Sequence, residues 1–149
     1  MEAMQPSLLD IVTRPALRGG VPFQASRTSR KAAEQLAPKV AGRRERVIAL
    51  FRAGARLTAD EAAARLGWKP TQTRPRVCEA AKWGVLVDTG EERPSDDGAA
   101  MVVYRYATLP ELREALNEAE KCFNYGATQR ESAEAALWGG VIRAEMEAA

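Results

Sequence analysis

Apolar residues in the middle of the chain recur at three- and four-residue spacing, which is typical of amphipathic helices. Over residues 43–53, Val47, Leu50 and Phe51 share one face, and Gly54 ends the pattern. This spacing predicts a helix with one buried side. Four arginines are predicted to lie largely outside that side: Arg43, Arg44, Arg46 and Arg52.

The segments before this helix contain residues that interrupt regular structure. Residues 1–28 hold three prolines and a Gly19-Gly20 pair without a sustained period, so we expect an amino-terminal arm outside the core. A short helix is predicted over about residues 29–36 and is expected to stop at Pro38, because proline disrupts a helix interior.

A second helix has clear signals at both ends. Thr58 and Glu61 have the spacing of a capping box, in which hydroxyl and carboxylate each bond to the backbone amide of the other residue. The pattern predicts a helix over residues 59–66 that ends at Gly67.

A third helix is predicted over about residues 70–83, with Gly84 as a left-handed cap. Pro75 lies inside it and lacks the amide that would bond to the carbonyl of Thr71. In an alternative, the helix begins near Thr73, with Thr73 as the cap and Pro75 in the first turn.

Strand-forming residues follow the third helix. Residues 85–87 begin a strand, residues 91–100 form a turn-rich loop, and residues 101–106 form a returning strand. Three helices followed by a hairpin are the element order of a winged helix-turn-helix.

The last part of the chain returns to helical spacing. Pro110 suits the first turn of a helix, and Thr128 and Glu131 repeat the capping-box spacing before a final helix that Gly139-Gly140 interrupts. A kink or a close helix contact would explain that glycine pair. The apolar stripes of the two helices are Leu112, Ala115, Leu116 and Ala119, and Trp138, Ile142 and Met146.

The predicted fold class is mainly α with a small β-hairpin: a winged helix-turn-helix plus a C-terminal helical hairpin. The predicted domains are an arm over residues 1–28, a winged domain over 29–107 and an acidic helical tail over 108–149. The tail is interpreted as a surface for oligomerisation or partner binding.

Composition excludes several kinds of chemistry. The 149 residues include no histidine and two cysteines, Cys78 and Cys122. Histidine-based catalysis and a four-cysteine zinc site are therefore excluded, and no glycine-rich phosphate loop is present. We expect no enzyme activity, no cofactor and no metal site. Without a long apolar run or a signal-peptide pattern, we expect a cytoplasmic protein in a bacterial host cell, with no membrane partner.

The small net charge of +2 conceals a strong asymmetry. Residues 14–82 hold 16 basic and 5 acidic side chains, whereas residues 111–149 hold 4 basic and 8 acidic. A basic segment of this kind attracts polyanions and favours nucleic acid as a partner, although a solvated basic surface is the alternative explanation.

The stretch LTADEAAARLGWKPTQTRPRVCEAAKWGVLVDTGEERPSDDG resembles small phage and prophage winged helix-turn-helix DNA-binding proteins with an RPRxxE recognition helix. The resemblance covers about residues 29–106 and implies double-stranded DNA as the partner. The residues that carry it are Leu57, Thr58, Glu61, Ala63, Gly67, Arg74, Pro75, Arg76, Glu79, Gly84, Asp88, Gly90, Arg93 and Pro94.

Two features depart from that resemblance. The proteins that the sequence resembles tend to have a basic wing tip, whereas the tip of this chain reads Ser95-Asp96-Asp97-Gly98. We therefore expect the wing to contact DNA through Arg93 only or to face a protein. The acidic C-terminal helices are also outside the pattern. We expect residues 109–149 to mediate a homodimer or to bind another protein.

Most candidate DNA-binding residues cluster at the start of the third helix, whose early residues reach base edges when such a helix enters the major groove. Arg43 and Arg44 of the preceding helix are candidates for contacts to the DNA backbone. Arg74 and Arg76 suit bidentate contacts to guanine, and Gln72 suits adenine. Phosphate contact or plain solvation is the alternative for each. The full candidate set is Lys69, Thr71, Gln72, Thr73, Arg74, Arg76, Arg93, Arg43 and Arg44.

The sequence leaves three functions open. The first is a phage or prophage transcriptional regulator that reads the major groove with its third helix. The second is a winged-helix protein-interaction module that binds a polymerase or another phage protein, because one fold hosts many functions. The third is an accessory protein of DNA packaging or replication.

Overall fold

The computed structural model describes residues 27–126 and 128–149, which are mainly helical with one small antiparallel hairpin, in agreement with the predicted class. Most of the predicted arm, residues 1–26, lies outside the described residues. In chain order the elements are α1 (Arg27–Arg52), α2 (Ala59–Leu66), α3 (Pro70–Lys82), β1 (Leu86–Pro94), β2 (Ala100–Tyr106), α4 (Leu109–Tyr125) and α5 (Gln129–Ala148).

Helix α1 is continuous where the sequence predicts two helices. Pro38 lies inside it, so the prediction that Pro38 ends the first helix is wrong. An interior proline costs about 3 kcal/mol because one backbone bond is lost. Burial on both sides of Pro38 offsets this cost: Ala37 is buried before it, and Ile48 and Phe51 follow in the same helical phase.

The chain divides into two compact units. The central unit is Arg43–Ala115. The terminal unit combines the chain up to Gly42, described from residue 27, with Leu116–Ala149. The predicted domain limits at 28/29 and 107/108 do not coincide with these boundaries.

The central unit has an aliphatic core with one aromatic ring. Leu57 bonds through its backbone to Tyr104, at 3.1 Å and 2.9 Å, and so ties the segment before α2 to β2. Each helix and strand of the unit contributes fully buried apolar side chains. They include Val47, Ile48, Phe51, Ala62, Val77, Ala80, Leu86, Val103 and Leu112.

Both ends of α2 match the prediction. The Thr58 amide donates to the Glu61 carboxylate at 2.9 Å, and the Glu61 amide donates to the Thr58 hydroxyl at 3.2 Å. Gly67 ends the helix with a φ of 69°, a left-handed conformation that favours glycine. The chain therefore turns tightly from α2 into α3.

The hairpin has longer strands than the sequence predicts. β1 continues to Pro94, which pairs with Ala100, so the connecting turn is confined to residues 95–99 instead of the predicted 91–100. The register shifts between Asp88 and Glu92, where Gly90 has a φ of 81°. This irregularity lets the polar sequence after Gly90 stay within the strand.

In the terminal unit, α5 packs against the end of α4. The Thr128 hydroxyl accepts the Glu131 amide at 3.1 Å at the start of α5, and Phe123 of α4 packs against Ala133 and Ala136. Arg143 donates to Glu120 at 3.0 Å farther along the pair.

Helix α5 runs without interruption through Gly139 and Gly140. A Cβ added at either glycine would meet no described atom within 4 Å, so the second of the two alternatives, a close helix contact, is not found there. No helix within the described ranges is both long and apolar enough to span a membrane.

Candidate nucleic-acid interface

The start of α3 follows the first of the two predicted alternatives. The helix begins at Pro70, and Lys69 is the cap residue in an extended conformation. Pro at the first helical position costs no backbone bond, because that amide has no partner inside the helix. Pro75 is accommodated in the interior. The residues from Lys69 to Arg74 therefore form the cap and the first turns of a helix instead of an extended segment.

Thr73 is fully buried, and its hydroxyl donates to the Lys69 carbonyl at 3.2 Å. Its position corrects the prediction that Thr73 is available to DNA. The physical reason is helical phase: Thr73 lies four residues before Val77 and seven before Ala80, both of which are in the core.

Three other predicted residues are exposed together at this end of α3: Lys69, Thr71 and Gln72. The backbone amide of Gln72 donates to the Lys69 carbonyl at 3.0 Å, so the Gln72 backbone belongs to the first turn of the helix. An ammonium, a hydroxyl and a carboxamide at a helix amino terminus match the groups that bind phosphate and base edges.

Arg74 is half-exposed, with 50% of its side chain accessible, and it is held by a carboxylate of α2. Its Nε and Nη2 donate to the two Asp60 oxygens at 2.7 Å and 2.8 Å. These hydrogen bonds hold the pKa of Asp60 below its ordinary value and raise that of Arg74. The guanidinium is therefore ionised and oriented, and its Nη1 has no hydrogen-bond partner among the described residues.

Arg76 lies in a different environment although it is only two positions away. Its side chain is 16% exposed, and Nη2 contacts Glu79 at 3.1 Å. Because residues two positions apart on a helix diverge by about 200°, Arg74 and Arg76 do not share a face. The prediction that both arginines stand at the exposed end of the helix holds for Arg74 alone.

Arg44 is buried, with 6% of the residue exposed, so its predicted location outside the apolar face of α1 is wrong. Burial lowers its pKa, and the nearby Glu79 opposes this effect. Arg44 lies three and four residues before Val47 and Ile48, which places it on the core side of the helix. Arg43, the other candidate in this helix, is half-buried.

Arg93 of β1 is engaged within the protein. Its Nη1 donates to both Glu61 oxygens at 3.0 Å and 3.1 Å and to the Arg56 carbonyl at 3.3 Å, and its Nε donates to Glu91 at 3.1 Å. The pKa of Glu61 is lowered first by the Thr58 amide and then by Arg93. The predicted wing contact thus fastens the hairpin to the start of α2.

The hairpin turn is acidic, as its sequence indicates. The Asp97 carboxylate accepts from the Ser95 hydroxyl and from the Ala99 amide, and these bonds lower its pKa. Asp96 is exposed. Both carboxylates are therefore exposed, and that of Asp97 also shapes the turn.

At the base of the hairpin, Arg105 donates to both Glu111 oxygens at 2.8 Å and 3.0 Å. Glu111 also accepts the Thr108 amide at 3.0 Å. The Arg105 bonds, followed by this amide, lower the pKa of Glu111 from its ordinary 4.5 to about 2. This cap was not predicted, although Thr108 and Glu111 have the same spacing as Thr58 and Glu61.

Two cations of the central unit lie over aromatic rings. Arg46 is 5.1 Å from the Trp68 ring centre, and Lys82 is 5.4 Å from that of Trp83. Both rings are partly covered. Cys78 is exposed on α3.

Within the ranges that the structure describes, no three His, Cys, Asp or Glu side chains are grouped closely enough to hold a metal ion. No protein-family model matches the sequence, and comparisons with curated proteins and with solved structures find no significant similarity. Functional interpretation therefore depends on the residues of the central unit.

Proposed function

We propose that the protein binds double-stranded DNA as a winged helix-turn-helix regulator, with the amino-terminal end of α3 in the major groove. The observation that carries this proposal is the exposed group formed by Lys69, Thr71, Gln72 and Arg74, which we call the α3 surface. It lies at the start of a helix that directly follows a tight turn from α2. This is the part of a helix-turn-helix that reaches base edges.

The residues of the α3 surface divide by chemistry. Lys69 suits a phosphate, because an ammonium is a compact charge without planar geometry. Gln72 suits adenine, and the guanidinium of Arg74 suits the O6 and N7 acceptors of guanine. Thr73, Arg44 and Arg93 have no part in this surface, because the first two are buried and Arg93 belongs to β1, where it bonds to Glu61 of α2.

Selection of the full-length protein on a random duplex library tests both affinity and sequence preference. We expect an enriched motif, and log affinity that falls linearly with log salt concentration, by roughly 0.9 per neutralised phosphate. Absence of duplex affinity at low salt would show that the proposed function is wrong.

Lys69→Ala provides a second arm of the test. It is expected to weaken binding to all duplexes about equally and to reduce the salt slope by about 1. Lys121→Ala is the matched control, because Lys121 is an exposed lysine of the terminal unit that pairs with Glu118 at 3.1 Å. It should leave affinity and slope unchanged.

A protein-binding role is the second candidate function, and the acidic hairpin favours it. Asp96, Glu91 and Glu92 are exposed there, and both arginines of the hairpin are paired with carboxylates. Such a surface would attract a basic partner. If duplex DNA binds and Lys69→Ala weakens that binding, DNA binding is favoured over the protein-binding role.

A further inference from the structure

The first turn of α2 presents two adjacent carboxylates, each bound to an arginine from a different element. Asp60 holds Arg74 of α3, and Glu61 holds Arg93 of β1. The Glu61 carboxylate also completes the capping box, whereas the hydrogen bonds given to Asp60 come from Arg74. The two acids therefore differ in what they position.

The Asp60–Arg74 pair uses one edge of the guanidinium. Nε and Nη2 face the carboxylate, and the donors left over are both hydrogens of Nη1 and one of Nη2. These lie on the end of the guanidinium plane, where two parallel donors match the O6 and N7 acceptors of guanine. Pairing with Asp60 thus leaves a base-reading edge available.

We infer that Asp60 is a positioning residue for base recognition: it orients Arg74 so that the Nη1/Nη2 edge reads a guanine in duplex DNA. This inference rests on the proposed function. The physical basis is preorganisation, because a long side chain fixed before binding loses less rotamer freedom when it meets the base. A solvated arginine without Asp60 would bind the same phosphates and bases with less discrimination.

The two acidic neighbours allow a matched comparison. Asp60→Asn and Glu61→Gln each remove one negative charge from the same helical turn, and the carboxamide introduced by Glu61→Gln can still accept the Thr58 amide. Both variants are expected to raise affinity for random duplex about twofold, because one repulsive charge near DNA is lost. Only Asp60→Asn is expected to reduce base preference.

The experiment repeats the random-duplex selection with full-length wild type, Asp60→Asn, Glu61→Gln and Arg74→Ala. We expect Arg74→Ala to lose a preference for guanine at one position of the motif and Asp60→Asn to lose about fivefold to tenfold of the preference at that same position. Glu61→Gln should keep it. The double variant of Asp60 and Arg74 should lose no more than Arg74→Ala alone, since both act through one contact.

Thermal unfolding of every variant separates positioning from general damage, because an unstable protein loses all preferences together. Asp60→Glu keeps a carboxylate and is expected to retain most of the guanine preference. If Asp60→Asn keeps the wild-type preference at the position read by Arg74, the inference is wrong and the proposed function stands. If wild type enriches no motif, both are wrong.

Discussion

The start of α3 and the β-hairpin both belong to the central unit, and both carry arginines, but they use them differently. At the start of α3, Arg74 is half-exposed and keeps donors available after pairing. In the hairpin, Arg93 and Arg105 bond to Glu61 and Glu111, which hold the hairpin at its two ends. The exposed side chains at the hairpin turn are carboxylates instead.

This difference shows that a basic residue in the sequence indicates a cation but not its partner. A charge count assigns the same meaning to Arg74, Arg93 and Arg44. Their environments separate a half-exposed side chain from a tethered one and a buried one. Of the three, Arg74 has the most exposed side chain, at 50%, against 35% for Arg93.

The largest expected effect is the difference in DNA preference between the alanine variants of Arg74 and Arg76. Arg74→Ala should reduce preference for the selected site over random duplex by about 10-fold to 100-fold, the discrimination that one bidentate contact provides. Arg76→Ala should change that preference less than twofold and instead lower the free energy of unfolding, because Glu79 loses a partner. Titration of fluorescent duplexes measures preference, and equal losses in the two variants would contradict the distinction.

The Arg105–Glu111 pair tests whether the base of the hairpin is structural. The folded-state pKa of Glu111 is about 2, below its ordinary 4.5, so its contribution is complete above about pH 4.5 and is lost as pH falls toward 2. The carboxyl is partly exposed and screened, so we expect Glu111→Gln to cost about 1 kcal/mol near pH 7.

Urea unfolding of wild type and Glu111→Gln near pH 7 and near pH 3 checks this expectation. The difference in unfolding free energy should shrink by more than half at the lower pH, and DNA affinity at neutral pH should not change. A difference that stays constant with pH would mean that the Glu111 carboxylate is not the stabilising group.

Arg93→Met tests the tether at the other end of the hairpin. It removes the bonds to Glu61 and to the Arg56 carbonyl but keeps an apolar stem. We expect a small decrease in unfolding free energy, because the pair is exposed to solvent, and less than a twofold change in affinity for duplex. A fivefold loss of affinity at unchanged stability would restore Arg93 as a DNA contact.

The smallest expected effect concerns the acidic turn. Asp96→Lys should raise affinity for random duplex about threefold at low salt, and the gain should disappear at high salt because exposed charges are screened. Glu147→Lys makes the same charge change at an exposed position near the end of α5 and serves as the control. Equal gains in both variants would mean that net charge, and not the hairpin turn, controls binding.

Local signals predict the elements of the central unit well. Three features depend on short-range geometry and can be predicted from nearby residues alone: the capping box of Thr58 and Glu61, the left-handed Gly67 and the hairpin. The prediction fails at Pro38, because the helix continues through it to the buried residues Val47, Ile48 and Phe51 in the second half of α1.

The candidate surface was predictable only in part. Lys69, Thr71 and Gln72 precede the first buried residue of α3 and are exposed as expected. The burial of Thr73 could have been inferred from its phase with Val77 and Ala80. Nothing in the local pattern indicates that Asp60 meets Arg74, because fourteen residues and a turn separate them.

The sequence by itself determined the mainly helical class with its hairpin, the exclusion of histidine chemistry and the asymmetric distribution of charge, since these follow from composition and short-range periodicity. The tertiary structure decided which cations are available. Ion pairing depends on distances between elements, and the packing of α2 against α3 and of the hairpin onto α2 brings Asp60 to Arg74 and Glu61 to Arg93. Both arginines are paired, but Arg74 keeps an exposed edge, whereas Arg93 joins the hairpin to α2.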